Sequence, residues 1–145
     1  GLGDVYKRQM YDLITQKPKK LHIFNRTYDK AKVMQKKWEI LAKNNHVNIA
    51  VLEYLSIDNT KYDLVINATS SGLVEGAMPM ACEYFIPETI YYDMTYGFET
   101  PFMKASKAKG AKTFDGTGML IEQAAESFFI WHKLKPNTTN TFKIL

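Results

Sequence analysis

The 145-residue chain has one cysteine, Cys82, and no apolar run that approaches the roughly 20 residues of a membrane-spanning helix. No disulfide can form within it, and a cysteine-based metal cluster is excluded. We interpret Cys82 as a small buried apolar residue rather than a reactive thiol. One cysteine suits a reducing cytoplasm, and the lack of long apolar runs argues against a membrane protein.

The composition is that of a globular protein, since 46% of the residues are apolar and 23% are charged. The length fits one domain. The net charge of +4 is concentrated between residues 17 and 37, where eight lysines and arginines face one aspartate. Such a local excess indicates a site for a small anion, or a solvated face, more than a general nucleic-acid surface.

Short apolar runs alternate with helical stretches along the chain. The pattern predicts helices that end at residue 15 and at residues 44–45, the second capped by Thr27, and further helices over 100–110 and 119–133. It predicts strands over 20–25, 46–52, 63–67, 89–94 and 112–114. This alternation predicts an α/β fold with a doubly wound parallel sheet. The apolar run at 63–67 is typical of a strand buried on both faces.

The first residues do not fit such a fold. A Rossmann sheet opens with an apolar strand, a G-x-G-x-x-G turn and a helix. Gly1 and Gly3 have no strand before them, and Tyr6 stands where the third glycine belongs. Residues 4–9 also resemble the translation of a transposon end used to prepare sequencing libraries. We therefore interpret residues 1–9 as a non-native leader, so that the first strand and glycine-rich loop are lacking.

Polar residues follow the predicted strands, at the sheet edge where ligands of doubly wound folds bind. Arg26 is the most informative of them, because it follows the first predicted strand and Lys30 comes one helical turn later. A carboxylate at the corresponding point of a Rossmann sheet binds a ribose 2′-hydroxyl, whereas an arginine accommodates a 2′-phosphate. The pattern favours NADP over NAD; the alternative is a solvated start of a helix.

Several sequence blocks resemble the carboxyl-terminal part of the shikimate dehydrogenase family. The resemblance runs from about residue 10 to residue 136. Its blocks are NRT at 25–27 followed by Lys30, DLVINATSSG at 63–72, YDMTYG at 92–97, TPF at 100–102 and DGTGMLIEQAAESFFIW at 115–131.

The resemblance implies an NADP-dependent oxidoreductase that reduces 3-dehydroshikimate to shikimate in aromatic amino-acid biosynthesis. Residues 10–145 would be a partial NADP-binding domain, with helix 119–133 packing back toward an absent substrate domain. That absent domain holds the family's catalytic lysine and aspartate, so no catalytic residue is assigned here. The implied substrate-binding residues are Tyr96 and Gln123. The implied cofactor-binding residues are Asn25, Arg26, Thr27, Lys30, Ala68, Thr69, Ser70, Met94 and Gly116.

Loss of the first strand would remove the central neighbour of both halves of the sheet, together with the pyrophosphate site. We therefore expect the chain by itself to have no dehydrogenase activity. Two alternatives stay open: a quinate/shikimate dehydrogenase that uses NAD, and a non-catalytic module that binds a nucleotide or nucleic acid. The expected partner is a small-molecule substrate, without a metal, a nucleic acid or a membrane, and a homodimer is compatible with the sequence.

Overall fold

The computed structural model describes residues 2–53, 61–69 and 78–141, with the backbone alone for residues 2–8. The chain divides into two compact units, Gly1–Thr60 and Lys61–Leu145. Each unit contains a parallel sheet with helices, and we describe the two separately.

The amino-terminal unit alternates helices and strands. Its two strands pair in parallel, with Lys20 opposite Asn48 and Phe24 opposite Leu52. The elements are α1 (Leu2–Thr15), β1 (Lys20–Phe24), α2 (Tyr28–Asn44) and β2 (Asn48–Leu52). The helix predicted to end at residue 15 does end there. It begins at Leu2 and so includes most of residues 1–9, the segment that we interpreted as a non-native leader.

A small apolar core holds this unit together. Met10 and Ile14 lie four residues apart on one face of α1, and Ile14 is completely buried. Ala31 of α2 and Ile23 of β1 belong to the same buried cluster. Helix α1 is therefore tied to the sheet through its last turns.

The start of α2 differs from the prediction. Thr27 is the N-cap residue, but its side chain makes no capping hydrogen bond. The Lys30 N–H, which a capping hydroxyl could receive, donates to the Thr27 carbonyl at 3.1 Å instead. Asn25 closes the turn before the helix by accepting the backbone N–H of Thr27 at 2.8 Å. The predicted end is confirmed, because the helix ends at Asn44 and His46 follows in the left-handed region with φ of 59°.

The carboxyl-terminal unit holds a three-stranded parallel sheet of order β3-β4-β5. Its elements are β3 (Leu64–Asn67), a short 3-10 helix (Cys82–Tyr84), β4 (Ile90–Asp93), α3 (Pro101–Ala108), β5 (Thr113–Phe114) and α4 (Thr117–His132). Across both units each predicted strand is present and shorter by one or two residues. The predicted fold class, parallel sheets with crossover helices, is confirmed.

β3 lies at one edge of its sheet. The N–H of Ile90 donates to the Asp63 carbonyl, and that of Met94 donates to the Asn67 carbonyl. This register turns the backbone groups of Leu64 and Ile66 away from β4. The prediction of a strand buried on both faces is wrong at Leu64, whose side chain is 44% exposed, so the face of the sheet is not covered there.

Three aromatic rings form the core of this unit. Phe85, Tyr91 and Phe102 are buried, with ring centroids 4.9 to 5.8 Å apart. Their edge and tilted geometries are those that aromatic pairs prefer. The prediction for Cys82 is wrong: it begins the 3-10 helix and its side chain is exposed.

Helix α3 has well-defined ends. The Thr100 hydroxyl accepts a hydrogen bond from the Met103 N–H, and Pro101 occupies the first turn. Gly110 follows the helix with φ of 76°, as its predicted place at the helix end requires. Among the described residues, no helix has the length and apolarity to cross a membrane.

Replacing the buried Ile14 with alanine should lower the free energy of unfolding of the amino-terminal unit by about 2–5 kcal/mol, since it leaves a cavity. Val33→Ala on α2, where the side chain is 71% exposed, is the matched control and should change it by less than about 0.5 kcal/mol. Urea denaturation followed by circular dichroism measures both. Equal effects of the two substitutions would contradict the packing of α1 described above.

Candidate nucleotide site

The loop after β1 presents a guanidinium to solvent. Asn25 is half-buried, and its side chain accepts the Thr27 N–H. The Thr27 carbonyl in turn accepts the N–H of Lys30 at 3.1 Å. The backbone on both sides of Arg26 is thereby held in a hydrogen-bonded turn, while the Arg26 side chain is exposed.

The cations near this loop differ in what they contact. Lys32 Nζ lies 5.4 Å from the centroid of the Tyr28 ring, and Lys37 Nζ lies 5.9 Å from that of the Trp38 ring. Both distances fit cation–π contacts on α2 itself. Lys30 is exposed in the first turn of the helix, close in sequence to Arg26. A phosphate beside this loop would meet two positive side chains and the positive end of α2.

In the other unit, a buried carboxylate lies where β4 ends. Asp93 is completely buried, and Oδ2 accepts hydrogen bonds from Thr100 Oγ1 at 2.6 Å and from Asn67 Nδ2 at 3.1 Å. Its Oδ1 accepts the N–H of Thr95 at 2.9 Å. A buried charge is tolerated only when it is satisfied by donors, and here the end of β3, the loop after β4 and the start of α3 supply them.

Asn67 carries this network into the loop after β3. It is 3% exposed, and its Oδ1 accepts both the N–H of Thr69 at 3.1 Å and the Thr69 hydroxyl at 2.8 Å. The side chain of one residue thus bridges the Asp93 carboxylate and the loop that holds Ala68. The oxygen and the nitrogen of the Asn67 side-chain amide both form hydrogen bonds, and this fixes the orientation of the side chain.

Gly116 lies where two loops meet. Its N–H donates to the Thr95 carbonyl at 2.9 Å. A Cβ at this position would overlap the Met94 carbonyl group, whose carbon would be 2.7 Å away. Only glycine allows the loop after β5 to approach the loop after β4 this closely.

The first turn of α4 begins beside this contact. Asp115 accepts hydrogen bonds from the N–H and the hydroxyl of Thr117, both at 3.0 Å. Tyr92 of β4 is half-buried, and this burial is the main reason why its pKa is raised. The nearby negative charge of Asp115 also raises the pKa, whereas a hydrogen bond with the Met119 backbone lowers it. The net shift is upward, so the phenol stays protonated against the start of α4.

The residues predicted to bind ligand fall into two groups, one in each unit. Asn25, Arg26, Thr27 and Lys30 come together in the loop after β1. In the carboxyl-terminal unit, the loops that hold the predicted residues are joined by the Asp93 network and by the contact at Gly116. These predicted residues are Ala68, Thr69, Met94, Tyr96 and Gly116. Ser70 lies outside the described residues.

The two residues predicted to contact substrate are accessible. Tyr96 is 51% exposed in the loop after β4. Gln123 is half-buried on α4. The same helix also exposes apolar side chains, among them Trp131 at 76%, while the ring of Phe128 packs on that of His132 at 4.4 Å.

Three residues of the network had no binding role in the sequence predictions: Asn67, Asp93 and Thr100. Asn67 and Asp93 were among the polar strand ends predicted to lie at the ligand-binding edge, and all three lie within the blocks that carry the family resemblance. Asparagine at the end of an apolar strand, or threonine before a proline, is common in turns as well. Their mutual contacts join positions up to 26 residues apart and become evident only in the fold.

Parallel strands with crossover helices and polar carboxyl ends define the class as a Rossmann-like α/β domain. The family profile described as "Shikimate 5'-dehydrogenase C-terminal domain" matches residues 116–140. Shikimate dehydrogenase (NADP(+)) of Methylobacillus flagellatus is 37% identical over 139 residues, which cover 95% of this chain and 50% of that protein.

Solved structures agree. A crystal structure of shikimate dehydrogenase in complex with NADP+ superposes with a TM-score of 0.77 at 31% identity, over 94% of this chain and 48% of that one. Quinate dehydrogenase from Corynebacterium glutamicum in complex with NAD gives 0.76 at 25% identity, over 94% and 50%. The chain belongs to the shikimate dehydrogenase family, and it spans about half the length of the curated relatives that it matches.

Gly116→Ala should push the loops after β4 and β5 apart, because the added methyl group overlaps the Met94 carbonyl. We expect a loss of about 1–3 kcal/mol in the free energy of unfolding. Gly97→Ala is not a matched control, since Gly97 has φ of 86°. Ala124→Gly is a better one: it lies on the exposed side of α4 and should cost no more than about 1 kcal/mol. A wild-type melting curve for Gly116→Ala would contradict the close approach.

Proposed function

We propose that this chain is the nucleotide-binding half of an NADP-dependent shikimate dehydrogenase, an enzyme that reduces 3-dehydroshikimate to shikimate. The observation that carries the proposal is the pair of exposed cations, Arg26 and Lys30, on the hydrogen-bonded turn after β1. The relatives that the chain matches are named for NADP(+), which supports the same cofactor.

The residues present fit NADP at its adenosine end. A guanidinium binds a phosphate through paired hydrogen bonds and can stack on an aromatic base. The turn fixed by Asn25 presents Arg26 with no carboxylate in the segment 25–28, and the next one along the sequence, Asp29, is inside the first turn of α2. A ribose 2′-phosphate would be attracted to the cations of this turn.

The carboxyl-terminal unit is proposed to receive the nicotinamide end. Gly116 packs directly on the Met94 carbonyl group, which holds the loops after β4 and β5 together at the sheet edge where ligands of such folds bind. When bound, NADPH would supply the hydride for the reduction. The residues of this unit would orient it: Thr69 and Met94 along the cofactor, and Tyr96 and Gln123 toward the substrate.

The exposed apolar residues of α4 are proposed to pack against a substrate-binding domain. Phe128, Phe129 and Trp131 are 42%, 39% and 76% exposed. Aromatic side chains of this kind are enriched in the buried centres of interfaces. We place the general acid–base lysine and aspartate of the reaction in that other domain. A cytoplasmic location, a small-molecule substrate and a homodimeric state complete the proposal.

Arg26→Ala should weaken NADP+ binding by about 10- to 100-fold and leave NAD+ binding nearly unchanged, because a charged hydrogen-bonded contact to one phosphate is lost. Titration of the 15N-labelled chain with each nucleotide, followed by NMR, gives both dissociation constants. Lys43→Ala, which removes an exposed cation at the other end of α2, is the matched control.

An unchanged preference in Arg26→Ala would contradict the assignment of the 2′-phosphate. Equal binding of NAD+ and NADP+ by the unaltered chain would favour the second candidate, a quinate/shikimate dehydrogenase that uses NAD. The likeness to the NAD complex of quinate dehydrogenase is the observation that keeps this candidate open. A binding constant that falls steeply with salt for any polyanion would instead indicate a nucleic-acid module.

The purified 145-residue chain should show no dehydrogenase activity, because the proposed acid–base residues are outside it. Incubation with shikimate and NADP+, monitored at the NADPH absorbance, measures this. The signal should stay at the level of a blank without protein. Formation of NADPH that depends on shikimate, and that survives a second purification step, would refute the expectation.

A further inference from the structure

We propose that Asp93 is a positioning residue whose carboxylate holds three segments in one arrangement: residues 68–69 directly after β3, and the loops after β4 and β5. The inference rests on the proposed function in one respect: these loops carry the positions assigned to the nicotinamide end of NADP. The coupling of the loops through Asp93 is a property of the fold and can be measured without any nucleotide.

The geometry of the carboxylate carries the inference. Three donors from different segments converge on it: Asn67 Nδ2 at 3.1 Å, the Thr95 N–H at 2.9 Å and Thr100 Oγ1 at 2.6 Å. Asp93 is itself completely buried, so water does not compete for these contacts. Hydrogen bonds to a charged acceptor in such surroundings are among the stronger ones in proteins.

The network extends beyond the residues that touch Asp93. Through Asn67 it fixes the N–H and the hydroxyl of Thr69. Through Thr95, whose carbonyl accepts the N–H of Gly116, it reaches the loop after β5. Thr69 and Gly116 therefore depend on the same carboxylate, although neither contacts it.

An asparagine at position 93 cannot replace the aspartate. If its amide nitrogen took the place of Oδ1, it would face the Thr95 N–H, which needs an acceptor. In the place of Oδ2 it would face the donors of Asn67 and Thr100. The Thr100 hydroxyl could turn to accept from that nitrogen, but the amide nitrogen of Asn67 could not. Either orientation leaves at least one pair of donors opposed, and the loops must shift.

The competing explanation is that Asp93 serves only the start of α3. It receives the Thr100 hydroxyl, and Thr100 caps that helix. Under this explanation the loss of the carboxylate would disturb Thr95, Thr100 and the first turn of α3, and nothing further. The two explanations therefore differ at Thr69 and Gly116.

The test is Asp93→Asn in the full 15N-labelled chain, with amide hydrogen exchange and chemical shifts read by NMR. We expect the amides of Thr69 and Gly116 to exchange roughly tenfold faster or more, and their resonances to move, since each loses a support of its hydrogen bond. Thermal melting, read in parallel, reports any general loss of stability. Amides of β1 and β2 serve as internal references.

Matched variants separate coupling from a local effect. Asp115→Asn alters a carboxylate that caps only its own turn through Thr117, and it should leave Thr69 unchanged. Thr100→Val removes the hydroxyl and should reproduce part of the change at Thr69. Thr100→Ser keeps the hydroxyl and should restore the wild-type shifts.

Changes confined to Thr95, Thr100 and Met103 would overturn the proposal, and so would equal effects of Asp93→Asn and Asp115→Asn at Thr69. If Asp93→Asn unfolds the unit, the amides of Thr69 and Gly116 are compared between Thr100→Val and Thr100→Ser instead. A change at Thr69 in the valine variant that is absent in the serine variant supports the coupling, and no difference overturns it. The variants that fold are then titrated with NADP+. In Asp93→Asn, NADP+ should no longer change the amide chemical shifts of Thr69 and Gly116, but it should still change that of Arg26. If NADP+ shifts no amide of the unaltered chain, the proposed function fails, and the loop coupling is judged by exchange alone.

Discussion

The carboxylate of Asp93 is the constraint on which the carboxyl-terminal unit depends. Parallel pairing places the ends of β3 and β4 side by side, which brings Asn67 next to Asp93 and lets one charged group serve both strands. A fully buried charge would be costly without its three hydrogen-bond donors. Moving any of the segments that supply these donors would therefore cost free energy, because the carboxylate would lose a partner. The site is built around a polar centre inside an apolar sheet.

The local parts of the fold could be predicted from the sequence because they depend on neighbouring residues. The strands follow from short apolar runs, and the end of α3 follows from Gly110, whose positive φ suits glycine. The turn with Arg26 was also found, since its position directly after an apolar strand is a matter of spacing alone. The prediction for Thr27 was wrong in one detail: Thr27 is the N-cap residue, but its carbonyl and not its hydroxyl receives the Lys30 N–H.

The contacts that assemble the site could not be predicted in this way. Asp93, Asn67 and Thr100 look like ordinary turn residues until the sheet brings them together. Gly116 was identified through a family resemblance, but its physical reason, the approach of the Met94 carbonyl, is a contact across 22 positions of sequence. The predictions that Cys82 and Leu64 are buried were wrong for the same reason. Both side chains are apolar, but their exposure is decided by where their elements lie in the fold.

The edge position of β3 bears on how this polypeptide behaves at high concentration. An apolar strand that turns the amide and carbonyl groups of Leu64 and Ile66 outward is a template on which another molecule can extend the sheet. Natural proteins blunt such edges with lysine, proline or a covering segment. Covering this edge would therefore reduce aggregation of the polypeptide as well as complete the hydrogen bonding of β3.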